Sequence, residues 1–280
     1  MMPAWHPHAD VWVLVVALAG TYVYALRRVG PGHVSPGDPP ATRGQKVAFG
    51  FGVVTLLVAA DWPIHDLGER SLFTAHMLQH LLMTLVAPPL LLLGTPGWML
   101  RWLLRPRWVL VVVRALSKPM VALVLFNLVI AVIHWPAFVT LYLHQPLVHL
   151  ATHAALVGTA LLMWMPVLSP IVEIERLPYP LQMLYLFAQS IVPTVPASFL
   201  TFGSEPLYRV YEELPRIWGI SALTDQRVAG LAMKILGGFI LWGVITVLFF
   251  RWARQEEEGV DELGWREVEE AVNPKELSRR

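Results

Sequence analysis

The chain has 280 residues, of which 56% are hydrophobic and 15% charged, with a formal net charge of +1. Soluble domains carry roughly 25% charge, so this is the composition of an integral membrane protein, and it offers no basic patch for nucleic acid. There is no cysteine, which excludes disulfides, thiolate sites and iron–sulfur clusters; a transition metal must be held by His, Met, Asp or Glu.

Apolar runs of about 20 residues are long enough to cross a bilayer, and the sequence predicts seven, in an all-α fold. They cover about Val11 to Leu26, Val47 to Ala60, Leu72 to Leu93, Pro119 to Pro136, Leu147 to Leu168, Leu181 to Phe202 and Val228 to Phe250. The second is short and the fourth ragged at one end; without one of them the count is six. The first run has no basic segment before it and does not read as a cleaved signal peptide. Residues 1–252 read as the transmembrane domain and 253–280 as a charged cytoplasmic tail. In that tail Leu263, Val268 and Val272 hint at a short amphipathic helix within a solvated end.

Lys and Arg fall unevenly between the loops. Sixteen lie after the first, third, fifth and seventh runs, and four on the other side. The positive-inside rule then puts the N-terminus outside and the C-terminus in the cytoplasm. Nine of the ten histidines collect at or just below the outer face; only His33 lies on the cytoplasmic side.

His76, His80 and Met83 stand at i, i+4 and i+7 in the third run, on one face of a helix. His149 and His153 repeat the i, i+4 spacing in the fifth. Ionisable residues within a span are costly and point to function. At 1.5 Å per residue His80 and His153 each lie on the order of 10 Å below the outer surface, with Met233 of the seventh run at a similar level. Imidazole suits copper, zinc, iron and nickel alike, and a thioether favours Cu(I). The two pairs share one metal, bind two, or hold a haem between them; packing histidines bonded to backbone are the alternative to all three.

Around these pairs stand further candidate ligands. His134 ends the fourth run and reaches the same layer. His65, in Asp61-Trp62-Pro63-Ile64-His65-Asp66, is either an access ligand or part of a polar helix end with interfacial Trp. His144 reads as interfacial, His6 and His8 as metal-capturing or incidental, and Glu205 and Tyr208 as surface. Gly230 permits close approach of a helix or ligand, Gly237-Gly238 close packing, and Lys234 needs a partner or a route to water. Pro88-Pro89 breaks the third run, and Pro193 and Pro196 the sixth.

The run His76-Met77-Leu78-Gln79-His80-Leu81-Leu82, followed by Ala87-Pro88-Pro89-Leu90-Leu91 and Gly94-Thr95-Pro96, resembles the signature of the seven-span CtaG family of bacterial cytochrome c oxidase assembly factors. These are distinct from the single-span, Cys-bearing copper chaperones of the same name. His134-Trp135-Pro136, His149-x-x-x-His153, Trp164-x-Pro166-Val167-Leu168 and Asp225-Gln226 with Gly230 and Met233 are also similar to that family's pattern. The resemblance implies a multi-pass protein of the bacterial plasma membrane, not an enzyme, whose partners are haem–copper oxidase subunits and the lipid bilayer. It implies handling of copper for the oxidase; the residues themselves add Cu(I) by preference, delivery at the outer side, His76, His80, His149 and His153 as first ligands and His134, His65, Met83 and Met233 as further ones. A haem- or iron-binding oxidoreductase, a copper transporter and a structural scaffold are the competing functions. Self-association stays open.

Overall fold

A computed structural model describes residues 8–272, with side chains described to residue 258. His6, Lys275, Arg279 and Arg280 lie outside the described residues, as do the side chains of Leu263, Val268 and Val272. Every regular element among the described residues is helical. In hydrocarbon a backbone N–H must find its acceptor within the protein, and a helix meets that need inside one segment.

The first helix, α1 (Ala9–Tyr24), widens into a π turn, Ala25–Val29. α2 (Arg43–Ala60) starts with a capping box: Gln45 N–H donates to Thr42 Oγ1, and Thr42 N–H to Gln45 Oε1. A short α3 (Ile64–Arg70) folds back over the top of α4 (Phe73–Leu81), which continues through a π turn, Leu82–Val86, into α5 (Ala87–Gly94). Then follow α6 (Gly97–Leu103), α7 (Arg107–Leu116), α8 (Pro119–Ile133), α9 (Pro136–His144), α10 (Pro146–Leu168), α11 (Tyr179–Ile191), α12 (Thr194–Phe202), α13 (Val210–Glu213) and α14 (Ala222–Val272).

Six helical segments are long and apolar enough to cross a membrane, and a seventh exists if α7 and α8 count as one broken span. These two meet at 78°. α8 by itself has 15 residues, about 22 Å of rise, less than a ~30 Å hydrocarbon core. The fourth run is thus shorter at its end than its apolar residues suggest, stopping at Ile133 rather than Pro136. The helix of the seventh run continues unbroken to Val272, so the charged tail begins as helix, over the stretch where Leu263, Val268 and Val272 hint at one.

The third run is the most enclosed of the six. Its break is the π turn, and Pro88 and Pro89 open the helix after it. Pro88 has no N–H for the Thr84 carbonyl four residues back, and the fully buried Trp164 supplies Nε1–H to that oxygen at 3.0 Å. Two apolar clusters flank this helix. One joins it to α8, α10, α11, α12 and α14; the other joins it to α1 and α2. Pro193 separates α11 from α12, as the sequence suggests, whereas Pro196 sits in the first turn of α12, where a proline is tolerated, and does not break it.

Candidate metal centre

Three helix ends converge on the top of α4. Its first backbone N–H groups, at Phe73 and Thr74, donate to the Asp225 carboxylate at 2.8 and 3.0 Å, and Arg216 pairs with the same carboxylate at 3.0 Å. Asp225 belongs to α14, so this contact locks α4 and α14 at one level. α3 crosses α4 at Gly68, where a Cβ would come within 2.9 Å of the His76 backbone; only glycine lets the two helices pass so closely. Tyr211, from α13, donates to the Gly68 carbonyl, and Tyr208, from the loop before it, to that of His134, each at 2.9 Å. Burial pushes both phenols up, which keeps them protonated donors.

The result is a continuous layer of imidazoles. His76 and His80 have ring centroids 4.2 Å apart, and His149 and His153 are 4.3 Å apart. His153 joins the pairs, 6.5 Å from His76 and 5.9 Å from His80. His134 lies 6.4 Å from His80, and His65 5.5 Å from His149. His8 stands edge-on to His65 at 4.5 Å. The two sequence pairs therefore meet, and His134 and His65 join them.

The layer has two levels. In the lower one His76 is 0% and His80 5% exposed. Neither nitrogen of His80 has a hydrogen-bond partner among the described residues. His134 directs Nδ1 to the Ile130 carbonyl at 2.7 Å, which fixes the proton there and leaves the Nε2 lone pair buried and unpartnered. His76 pairs Nε2 with the Tyr142 hydroxyl at 2.9 Å, and its Nδ1 is also buried without a partner. A buried polar atom without a partner costs about 1–3 kcal/mol, so these nitrogens fit a bound cation. A cavity of about 210 Å³ opens below them, lined by His80, His134, Gln189, Met233 and Lys234 among apolar neighbours.

At the rim, His65 and His149 turn to a carboxylate instead. Their Nε2 atoms lie 3.1 and 3.0 Å from Glu69 Oε1, the second off the line of a hydrogen bond. Gln79 connects the levels through His65 Nδ1, at 3.0 Å.

Other residues are placed differently from expectation. Met83 is not brought to the layer: it packs with Val15, Phe49, Leu91 and Met99 on the α1–α2 side. Seven residues of rise set it about 10 Å below His76, where α2 covers that flank. Tyr208 is buried rather than on the surface. His144 is exposed and bonds only its own helix, at the Thr140 carbonyl. Gly230 does admit a neighbour, facing Ala197, Leu200 and Thr201 of α12; Gly237 faces Leu81, whereas Gly238 meets open space. Glu69 and Tyr142 were not foreseen. Glu69 stands four residues after His65 on one helix face, a legible spacing; Tyr142 reaches His76 across 66 residues of chain, with no local sign.

Fold and site together define a multi-pass membrane protein built around a buried histidine layer. The chain belongs to the family of cytochrome c oxidase caa3 assembly factors, whose signature it matches over residues 20–255. Comparison with curated proteins and with solved structures returned no match.

Proposed function

We propose that this assembly factor carries Cu(I) for a haem–copper oxidase, in the lower imidazole layer. The observation behind this reading is His80: an imidazole 5% exposed with both nitrogens unpartnered, beside further unpartnered nitrogens on His76 and His134. Neutral nitrogen donors with a thioether close by suit a soft monovalent ion. Met233 shares the cavity with His80 and His134, which offers the cargo a route out of the layer by ligand exchange toward the bilayer flank between α11 and α14. The excess of Lys and Arg in the loops of the other end supports an outward-facing position for this one. Lys234 lines the same cavity, and its positive charge disfavours long retention of a cation. The reading is of a carrier, not an enzyme: it asks the histidines only to bind and release.

The test is Cu(I) competition against a chelator with detergent-purified protein. Wild type should bind Cu(I), and His80→Ala/His134→Ala should weaken binding by at least about 100-fold. The same variant in cells should leave the oxidase short of copper. Equal Cu(I) binding by both proteins rejects the reading, and a Soret band in the purified protein replaces copper with haem.

A further inference from the structure

We propose that the rim holds a second, independent metal site made of His65, Glu69 and His149, which takes a divalent borderline cation such as Zn²⁺. The proposal goes beyond the Cu(I) reading and does not need it. One ligand atom from each residue can be chosen so that all three lie within 4.8 Å of one another. Both imidazoles present Nε2 to a single carboxylate oxygen, at 3.1 and 3.0 Å. Two imidazoles and one carboxylate, with a position left open, form a known zinc donor set.

Charge separates this site from the layer beneath. Glu69 supplies one negative charge, which offsets half the charge of a divalent ion; the lower imidazoles supply none. Access separates them too. The Glu69 side chain is 28% exposed, whereas His76 and His80 are 0% and 5% exposed, so a hydrated ion meets the rim first. A supporting group is in place: Gln79 Oε1 is buried without a partner while Nε2 faces His65 Nδ1. Turning that amide over, a choice made by the hydrogen-bond network, lets Oε1 accept from Nδ1–H. The lone pair of His65 Nε2 then points at the Glu69 side, the usual arrangement for a metal-bound imidazole.

The experiment is calorimetric titration of the full chain, stripped with chelator, using Zn²⁺ alone and then Zn²⁺ after Cu(I) loading. One Zn²⁺ per chain is expected, with the same affinity in both titrations. Glu69→Gln should weaken Zn²⁺ by at least about 100-fold and leave Cu(I) unchanged, while His80→Ala/His134→Ala should do the reverse. Unchanged elution and melting of Glu69→Gln show that its fold is intact. Zn²⁺ binding that survives Glu69→Gln, no Zn²⁺ binding by wild type, or Zn²⁺ excluded by prior Cu(I) each overturns the proposal. Zn²⁺ bound at the rim by a protein that takes no Cu(I) supports it and rejects only the carrier reading.

Discussion

Asp225 shows how much of the site depends on one side chain. It is 1% exposed and accepts from two backbone N–H groups of α4, from the Thr74 hydroxyl and from Arg216. Asp225→Ala removes the acceptor for both N–H groups and leaves α4 without a cap, while the Thr74 hydroxyl keeps the Asp225 carbonyl and Arg216 keeps its backbone acceptors. A loss on the order of 3 kcal/mol is expected, read as a lower melting temperature in detergent, together with weaker Cu(I) binding because His76 lies one turn further along. An unchanged melting temperature would show that water replaces the carboxylate. Tyr142→Phe is a milder probe. It frees His76 Nε2 without opening a cavity, so Cu(I) affinity should shift while the melting temperature stays close to wild type.

At the level of elements, close helix crossings set the geometry, and two glycines separate packing from function. A Cβ on Gly94 would stand 2.4–2.6 Å from Phe49 backbone and Cβ atoms, where α5 meets α2. Gly94→Ala should therefore destabilise the bundle by about 1–3 kcal/mol and spare the distant imidazoles, so the folded fraction keeps its metal stoichiometry. Gly68→Ala pushes α3 off α4 at His76. It should cost metal binding as well as stability, and the rim first, because His65 and Glu69 ride on α3. Equal loss of metal in both variants would mean that global looseness, not the α3–α4 crossing, governs the site. The pairing of Trp164 with the Thr84 carbonyl belongs to the same scale. The prolines of α5 free an acceptor in the bundle interior, and a residue 80 positions away in sequence satisfies it.

For the whole molecule, the histidine layer occupies one end. His33, stacked on Trp98, and the Arg101–Glu173 pair occupy the other. The positive-inside rule predicts that the histidine end faces outward. The chain has no cysteine, so single Ser204→Cys and Ser35→Cys variants report sidedness directly. An impermeant maleimide should label residue 204 in intact cells and residue 35 only after lysis. The opposite pattern reverses the orientation and with it the side of delivery.

Hydrophobic length and the absence of cysteine were enough to give an all-helical membrane bundle and a ligand set limited to His, Met and carboxylates. The i, i+4 spacing gave the two histidine pairs, since a helix keeps such residues on one face wherever it sits. Depth counted along the spans brought His153 and Met233 to the level of His80, and the place of His134 at the end of the fourth run added it to the same layer. The sequence could not tell which face of each helix meets which neighbour, because that depends on crossings such as Gly68 over His76. That packing drew Met83 out of the layer and Glu69 into it, set Tyr142 against His76, and left His80 without a partner for either nitrogen.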